Sequence, residues 1–363
     1  MRSISKPWLV RAAVAAAFAL LAQQAARADP EIYQRAIRST GWVIVPSDDA
    51  MASGTCWLVD SEKKLLVTCE HVVGKSKDVL VYFPRFERDE LLVESGDYLR
   101  KLTPIDGRVL ATDAERDLAL VQLAALPAGV EALPLAKKSP SPGETVHSIG
   151  NSGLYDGLSS GSLWWYTQGT VRQVSLHRVE SKDKKVRVRM IETQSPVNRG
   201  DSGGPVLNGR GEVVGVTDSY DARERLVSQN IDIQEVRKFL AGAALAQAAP
   251  AAPKDARGQA MVGDWKFQVR KAADAKGKAE VKAFGGSGSF RRDGSFVLTS
   301  QKGAEAHHRQ GKFIYLNGVL WLIFDGFDAS SRLTWQNQDR FTLKSGESEL
   351  VFERDKAKVA AKR

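Results

Sequence analysis

After its first 28 residues the sequence lacks any long apolar run, and throughout it lacks a concentrated basic stripe. No later stretch approaches the roughly 20 apolar residues needed to cross a bilayer, so no stable membrane insertion is expected. Fifty-two basic residues exceed 43 acidic ones, but they are spread along the chain without interleaved aromatics. Nucleic-acid binding is therefore not expected. An alternating strand-helix-strand rhythm and internal repeats are also missing, which argues against an α/β fold or a repeat array.

The amino terminus has the pattern of a secretory signal peptide. Arg2, Lys6 and Arg11 give a positive start, residues 14–22 form a short apolar run, and residues 26–28 read Ala-Arg-Ala. This pattern predicts cleavage after residue 28 and a periplasmic or secreted protein, with an uncleaved anchor as the alternative. Removal of the leader leaves a mild excess of positive charge.

The chain has only two cysteines, Cys56 and Cys69, at the two ends of a predicted β-hairpin. If the turn is centred between Glu62 and Lys63, the two cysteines face each other across the strands. Export to an oxidising compartment then favours a Cys56–Cys69 disulfide. A slip of one residue in the register would instead leave two buried free thiols.

Residues 29–245 are predicted to form an all-β domain. A short helix at 29–39 precedes a strand at 41–45, and short apolar runs then recur between turn signals. A Pro-containing stretch at 125–142 divides these strands into two groups of similar size. The pattern predicts two antiparallel six-stranded barrels, followed by a C-terminal helix at 231–240 with Asp232 as its N-cap.

The remainder of the chain is predicted to form a second, smaller domain. Residues 246–259 are rich in Ala and Pro and are predicted to be a linker. Residues 260–355 return to about eight strands of a small antiparallel β domain, and residues 356–363 form a basic tail. This domain is interpreted either as a ligand-recruiting or substrate-recruiting barrel or as a packing and stability module.

The residues most informative about chemistry lie at 198–206, which read Asn-Arg-Gly-Asp-Ser-Gly-Gly-Pro-Val. A serine hydroxyl needs a neighbouring base and donors for an oxyanion before it can cleave a peptide bond. A glycine-flanked loop around Ser202 meets the second need, because the N–H groups of Gly200 and Ser202 can point to one place. This run resembles the nucleophile loop of trypsin-like serine peptidases.

Histidine is scarce, with five in the chain, and only His71 lies where a general base is needed. It follows an apolar strand in the sequence Thr68-Cys69-Glu70-His71, which resembles the family's Thr-x-x-His motif. Glu70 departs from that motif, because the family usually has a small residue there. A carboxylate at this position would either raise the pKa of His71 or face solvent.

Asp117 is the predicted orienting acid. It directly precedes an apolar strand between His71 and Ser202, and members of the family have His, Asp and Ser in this chain order. Asp113 is the rival, but it lies in a polar turn without such a strand. His71 and Asp117 are therefore expected on the first barrel and Ser202 on the second.

The resemblance implies further site residues and some limits. The oxyanion hole is expected at the backbone of Gly200 and Ser202, and no metal or cofactor is expected. Nothing resembling the free amino terminus of the animal enzymes precedes Trp42, so no zymogen step of that kind is expected. Substrate is expected to contact one wall of a specificity pocket and one strand, formed by Pro196, Arg199, Val216, Thr217 and Asp218.

The exported bacterial branch, including high-temperature-requirement peptidases, is the part of the family that the chain resembles most. Those proteins carry a PDZ domain after the peptidase, whereas residues 260–355 lack a convincing PDZ pattern. Their opening, Gly263-Asp-Trp265, faintly resembles the Gly-x-Trp start of lipocalin-like barrels. Pro196 stands near the place where an acid would favour cleavage after Arg or Lys, so trypsin-like specificity does not follow.

Two functions are consistent with these residues. The first is an exported serine endopeptidase that cleaves protein or peptide substrates through an acyl-enzyme. The alternative is a catalytically weak or inactive binding module with the same fold, which recognises peptides or cell-envelope material. The reactivity of Ser202 distinguishes them.

Overall fold

The computed structural model describes most of the chain between residues 28 and 356. The described residues are 28–46, 51–154, 158–181, 184–220, 227–246, 259–271, 281–302, 305–316, 318–324, 328–345 and 348–356. The predicted signal peptide up to residue 27, most of the predicted linker and nearly all of the basic tail lie outside them. None of the described helices is both long and apolar enough to cross a membrane.

The first barrel has six antiparallel strands around a closed apolar core. Its strands pair in the order β1-β2-β3-β8-β7-β4, and β4 pairs back onto β1 to close the ring. Three of its strands are buried over all or nearly all of their length, as the continuous apolar runs at 65–69, 78–83 and 117–123 predict. The strands are β1 (Thr40–Pro46), β2 (Met51–Asp60), β3 (Leu65–Thr68), β4 (Asp78–Tyr82), β7 (Ile105–Asp113) and β8 (Leu118–Leu123).

Several short helices and strands flank this barrel. The helix α1 (Ala28–Arg38) precedes β1, and the short helix α2 (Glu70–Val73) follows β3. The two-residue strands β5 (Phe86–Glu87) and β6 (Glu90–Leu91) form a separate small sheet. The helix α3 (Ser95–Lys101) was not predicted, because seven residues containing one glycine give too weak a helical pattern.

The second barrel repeats the architecture with longer strands. Its order is β9-β10-β11-β14-β13-β12, and β12 pairs with β9 to complete the ring. The prediction of two antiparallel six-stranded barrels is thus confirmed. The strands are β9 (Thr145–Gly150), β10 (Trp165–Ser181), β11 (Lys184–Thr193), β12 (Pro205–Asn208), β13 (Val213–Tyr220) and β14 (Ser228–Asp232).

The predicted C-terminal helix follows the second barrel as α4 (Ile233–Ala246). The Asp232 side chain accepts a hydrogen bond from the backbone N–H of Gln234 at 2.8 Å, which is the N-capping contact expected from the sequence. The helix packs against strands of both barrels. It therefore ties the two barrels together.

The C-terminal region forms a third closed barrel of eight strands, each paired with the next along the chain. A short 3₁₀ helix (Gln259–Met261) leads into it, and Arg354 lies over the Trp265 ring at 4.3 Å to close that end. The strands are β15 (Gly263–Lys271), β16 (Val281–Phe290), β17 (Ser295–Lys302), β18 (Glu305–Leu316), β19 (Val319–Ile323), β20 (Asp328–Asn337), β21 (Arg340–Ser345) and β22 (Ser348–Arg354).

The outer face of β18 and β19 packs against the first two barrels. Ile314, Leu316, Trp321 and Ile323 are all buried and belong to the same apolar cluster as the core of the first barrel. Alternate residues of these two strands fill the interior of the third barrel instead. At the edge of the contact the Ser159 hydroxyl donates to Asp328 Oδ1 at 2.8 Å.

The structure contradicts the predicted Cys56–Cys69 disulfide, because both thiols are free and buried. Asp60 lies opposite Leu65, as the predicted register requires, but a bulge at Val59 then shifts the remaining pairs by one residue. Cys56 is thereby moved out of register with Cys69. The two thiols occupy different surroundings, with Cys56 packed against Gly41 and Cys69 donating to the Thr217 carbonyl at 3.3 Å.

Candidate active site

The Ser202 loop is held in place from the first barrel by Thr55 and Thr68. The Thr55 N–H donates to the Ser202 carbonyl at 2.8 Å, and its hydroxyl donates to the Gly200 carbonyl at 2.7 Å. The Thr68 hydroxyl in turn donates to the Thr55 carbonyl at 2.7 Å. A loop of one barrel is thus fixed by a strand of the other.

Glycine is required at two positions of this loop. Gly200 and Gly203 have φ angles of +99° and +88°, in the region that side chains rarely adopt. A Cβ at Gly203 would also lie 2.1 Å from the Thr55 carbonyl oxygen. The close approach of the two barrels at Ser202 therefore depends on a residue without a side chain.

The loop leaves two backbone donors available. The N–H groups of Asp201, Gly203 and Gly204 donate to the carbonyls of Asn198, Thr217 and Asp201, respectively. In the part of the chain that the structure describes, the N–H groups of Gly200 and Ser202 have no acceptor. These are the two donors that the sequence predicts for an oxyanion hole.

His71 lies in α2, directly after the buried strand β3. Its Nδ1 is 2.6 Å from Asp117 Oδ2, and its backbone N–H donates to Asp117 Oδ1 at 2.8 Å. The imidazole side chain is 48% exposed, which leaves its other face accessible to the cleft. The hydrogen bond to Asp117 raises the pKa of His71 above its ordinary value, although partial burial opposes this.

Asp117 rather than Asp113 is the carboxylate beside His71. Asp117 has φ = +52°, an uncommon conformation that places its side chain at the imidazole immediately before β8 begins. Burial alone would raise the pKa of Asp117, but hydrogen bonds from His71 hold that pKa below its ordinary value. The carboxylate is therefore ionised when the neighbouring imidazole is available to act.

The turn that carries Asp117 is anchored by its neighbour Arg116. The Arg116 guanidinium lies 2.6 Å from Asp113 Oδ2 and 3.0 Å from Glu235 Oε2 in α4. Glu235 is buried and also pairs with Lys238 at 2.8 Å. Asp113 thus has a structural role, holding the turn from which Asp117 projects.

Asp218 brings a second carboxyl group to the same place. It lies in β13 at a bulge between Thr217 and Ser219, and one of its carboxylate oxygens lies within 4.8 Å of one of Asp117. Burial, followed by the charge of Asp117, raises the pKa of Asp218 to about 7. Its backbone carbonyl accepts the Ser202 hydroxyl at 2.8 Å, so the serine is directed to Asp218 in this structure.

Asp201, the residue before the serine, is buried inside the loop. Its carboxyl accepts from the Asn198 N–H at 2.8 Å and from the Ser152 side chain. Burial raises the pKa of Asp201 to about 6. In the described chain no basic side chain forms an ion pair with it, and the loop is organised by these neutral donors instead.

The predicted substrate-binding residues fall into two groups. Pro196 and Arg199 are exposed on the segment leading to Ser202. Val216 and Thr217 are buried, and the N–H and carbonyl of Thr217 are both paired with the Ser202 loop. Strand β12 pairs with β13 only as far as Val216, so the open edge of β13 among the described residues begins at Asp218.

The sequence leaves the direction of the Asp218 side chain open. In the structure a bulge makes Asp218 a residue without a partner in the strand ladder, and its carboxylate lies within 4.8 Å of a donor atom of Asp117. The run Thr217-Asp218-Ser219 contains no local signal for a bulge. Only the pairing of β13 with β14 reveals it.

Four side chains with donor atoms meet beneath the imidazole. One atom each from Cys69, His71, Asp117 and Asp218 lies within 4.8 Å of the others. His71 Nδ1 is already bound by Asp117, and the Cys69 thiol donates to a backbone carbonyl. Burial and the nearby carboxylates raise the pKa of Cys69, which disfavours the thiolate. In this cluster Cys69 and His71 therefore act as hydrogen-bond donors, to the Thr217 carbonyl and to Asp117 respectively.

Comparisons with known proteins agree with this geometry. Residues 54–216 match the family model described as a trypsin-like peptidase domain. The chain is 34% identical over 194 residues to the putative serine protease HhoB of Synechocystis sp., covering 52% of this chain and 39% of that protein. It is 26% identical over 185 residues to HhoA of the same organism, covering 51% and 41% of the two chains.

Two further proteins are also similar to part of the chain. Serine protease HTRA1B of Danio rerio is 28% identical over 193 residues, which cover 53% of this chain and 35% of that protein. The crystal structure of the active form of Rv3671c protease from M. tuberculosis has a TM-score of 0.49 and 20% identity. That likeness covers 61% of this chain and 86% of the Rv3671c chain.

The aligned region spans at most 41% of the length of the curated relatives. The family-model match at residues 54–216 contains His71, Asp117 and Ser202. The third barrel lies outside the family match. Residues 54–216 are thus identified as a trypsin-like peptidase domain, similar to those of known serine proteases.

Proposed function

We propose that the protein is an exported serine endopeptidase in which His71, Asp117 and Ser202 form a catalytic triad. The observation that carries this proposal is the contact between His71 Nδ1 and Asp117 Oδ2 at 2.6 Å, beside a loop in which the N–H groups of Gly200 and Ser202 have no acceptor among the described residues. These are the orienting contact and the oxyanion donors that acyl transfer requires. The predicted leader supports export.

The reaction then proceeds in two stages. His71 takes the proton from the Ser202 hydroxyl as Oγ attacks the substrate carbonyl, and the N–H groups of Gly200 and Ser202 stabilise the oxyanion. His71 next protonates the leaving amine, and water repeats the sequence on the acyl-enzyme. Throughout, Asp117 holds the imidazole with its Nδ1 proton inward, so that Nε2 faces the cleft.

Protein or peptide substrates are expected to add as a strand to the open edge of β13, which starts at Asp218. Pro196 and Arg199 lie on the exposed segment that leads to Ser202 and are placed to contact the residue before the scissile bond. Pro196 gives this wall no negative charge. We therefore expect cleavage without a strong preference for Arg or Lys.

The decisive experiment is labelling of Ser202 by a fluorophosphonate, measured together with turnover of casein. Ser202→Ala should abolish both, and Asp117→Asn should lower the labelling rate at neutral pH by about 10⁴-fold, because the imidazole then takes the wrong tautomer. Ser141→Ala, at an exposed serine of the same barrel, is the matched control and should leave both unchanged. Labelling that persists in Ser202→Ala would contradict the proposal.

The binding-module alternative has one observation in its favour. The Ser202 hydroxyl donates to the Asp218 carbonyl, so the serine has to turn from that acceptor before His71 can deprotonate it. A binding module with this loop would bind peptides while the folded wild-type protein remained unlabelled. The same labelling experiment therefore separates the two functions.

A further inference from the structure

Asn151 is a fully buried polar residue outside every motif of the predicted site. It directly follows β9, and 0% of its surface is exposed. A buried amide is tolerated at little cost only when both its oxygen and its nitrogen have hydrogen-bond partners. Both atoms of the Asn151 side chain have them, and the partners belong to three separate segments of the chain.

The direction of the Asn151 amide is fixed by Trp164. The backbone N–H of Trp164 donates to Asn151 Oδ1 at 3.1 Å. A backbone N–H can only donate, so the amide oxygen must face it and the NH₂ group must point the other way. Trp164 is itself held in place, since its φ of +66° is uncommon for a large side chain and its Nε1 donates to the Tyr98 hydroxyl at 3.0 Å. The amide therefore has one orientation.

The NH₂ group of Asn151 faces the first barrel. Its Nδ2 is 3.2 Å from Thr55 Oγ1 in β2 and 3.4 Å from the Gly41 carbonyl in β1. The Thr55 hydroxyl thus accepts from Asn151, which leaves its single proton for another acceptor. That acceptor is the Gly200 carbonyl at 2.7 Å. A series of hydrogen bonds therefore runs from Asn151 through Thr55 to Gly200.

The backbone of Asn151 contacts Gly200 as well. A Cβ added to Gly200 would collide with the Asn151 carbonyl oxygen, at a residue whose φ of +99° only glycine adopts readily. The Gly200 Cα is thus held by Asn151 directly, and the Gly200 carbonyl is held by Asn151 through Thr55. Rotation about the N–Cα bond of Gly200 would have to move one of these two contacts. They therefore also fix the direction of its N–H, which has no acceptor among the described residues.

We propose that Asn151 is a positioning residue of the oxyanion hole, which fixes the Gly200 peptide by setting the direction of the Thr55 hydroxyl. This inference rests on the proposed peptidase function for its catalytic consequence, but not for its contacts. Without the donor on Asn151 the Thr55 hydroxyl is free to turn, and the Gly200 carbonyl loses its partner. An oxyanion donor stabilises the transition state only when it is already in place, so misdirection of the Gly200 N–H slows the chemical step.

The first test is Thr55→Val in the full-length protein, which keeps the shape of the side chain but removes the hydroxyl. Fluorophosphonate labelling at several probe concentrations separates binding of the probe from the rate constant of the bond-forming step. That rate constant should fall about tenfold, which is less than the loss of a whole oxyanion donor would cause, and probe binding should not change. Thr55→Ser keeps a hydroxyl and should restore most of the rate.

Thr40→Val is the matched control. Thr40 is a buried threonine of the same barrel, and its hydroxyl donates to the Ala36 carbonyl at 2.8 Å instead of to the Ser202 loop. Its replacement removes a buried hydrogen bond of the same kind and should leave the rate constant at the wild-type value. A rate constant that falls equally in Thr40→Val and Thr55→Val would reflect a general loss of stability and would overturn the inference.

Asn151→Asp tests the donor itself. It keeps the acceptor for the Trp164 N–H, but an ionised carboxyl cannot donate to Thr55. At about pH 9, above the pKa of most buried carboxyl groups, it should slow the bond-forming step as much as Thr55→Val does. The combined variant should be no slower than either single variant, because both break the same series of hydrogen bonds.

Losses that multiply in the combined variant would mean that Asn151 and Thr55 act independently, which contradicts the proposal. If Asn151→Asp does not fold, Thr55→Val and Thr55→Ser still test the series. Equal rate constants in these two variants would overturn it.

A further readout does not depend on catalysis. In protein that contains isotope-labelled glycine, the amide resonance of Gly200 should shift in Thr55→Val and Asn151→Asp but not in Thr40→Val. A wild-type protein that does not react with fluorophosphonate would refute the peptidase function, while these spectra still tested the contacts. Conversely, a reactive enzyme whose Gly200 resonance is the same in all these variants would refute the role of Asn151 alone.

Discussion

The junction between the first two barrels and the interior of the third barrel bury different kinds of side chain. The junction concentrates buried polar groups, among them Thr55, Thr68, Asn151, Asp201 and Thr217. The third barrel is filled by aromatic rings that contact one another at centroid distances of 4.7–6.2 Å. The rings belong to Trp265, Phe267, Phe290, Phe296, Phe313, Tyr315, Phe324, Trp335, Phe341 and Phe352.

This difference separates stability from chemistry within one chain. Buried hydrogen bonds are directional and can hold a serine loop and a carboxylate at fixed positions, although each costs desolvation. Packed aromatic rings stabilise without directing any reactive group into solvent. The third barrel therefore contributes a rigid body and a docking face, and its observed core supports the interpretation as a packing module.

Phe341→Ala should have the largest effect on stability. The Phe341 ring stacks on Phe352 at 4.7 Å and contacts Trp265 at 4.8 Å, so its removal leaves a cavity among rings. We expect a loss of about 3–5 kcal/mol in the unfolding free energy of the third barrel. Denaturant unfolding monitored by tryptophan fluorescence measures it, with Phe341→Leu as the milder control.

The same variant also tests whether the third barrel contributes stability without affecting the chemistry at Ser202. Under conditions where Phe341→Ala remains folded, the labelling rate of Ser202 should equal that of wild type. A labelling rate that fell in proportion to stability would show that the two regions are energetically one unit.

Gly203→Ala should have the largest effect on activity. A Cβ there would meet the Thr55 carbonyl at 2.1 Å, at a residue whose φ is +88°. Displacement of the loop should misplace an oxyanion donor and slow labelling by roughly 10²–10³-fold, or about 2.7–4 kcal/mol. Gly209→Ala, where a Cβ would meet nothing within 4 Å, is the control in the next hairpin and should label normally.

Asp201 should make stability fall as pH rises through the acidic range. Burial raises its pKa to about 6 in the folded protein, whereas the unfolded chain loses the same proton near pH 4. Between these values the folded state binds more protons, so its unfolding free energy decreases with pH and levels off above about pH 6. The full contribution is about 3 kcal/mol.

Asp201→Asn cannot titrate and should lack this part of the pH dependence. The comparison to make is the difference in unfolding free energy between pH 4 and pH 7 for wild type and variant. Equal differences in the two proteins would mean that Asp201 is ionised in the folded loop.

The smallest effect is expected at the edge of the docking face. Ser159→Ala removes the hydrogen bond to Asp328, while Trp321 Nε1 still donates to that carboxylate at 2.7 Å. We expect a loss of about 1 kcal/mol in unfolding free energy and no change in labelling. A double-mutant cycle with Asp328→Asn measures the coupling energy between Ser159 and Asp328. A coupling energy of zero would mean that this hydrogen bond does not stabilise the interface.

Much of the fold could be predicted because short apolar runs and turn residues are local signals. The six-stranded barrels, the helix after Asp232 and the eight-stranded third barrel follow from those signals. The bulge at Val59 could not be predicted, because the extra residue changes no local pattern and only shifts the partners beyond it. The predicted disulfide failed for that reason.

The amino-acid sequence by itself determined which reactive groups are present and in what order, because the Ser202 loop and the Thr-x-x-His motif are contiguous. Chain order and the strand after Asp117 already predicted Asp117 rather than Asp113 as the partner of His71, and the structure has that contact. Tertiary structure decided the register: one bulge separated the cysteines, and another placed the Asp218 carboxylate near Asp117. Cys69 and Thr217 are 148 positions apart and are in contact, and no local pattern records the register that brings them together.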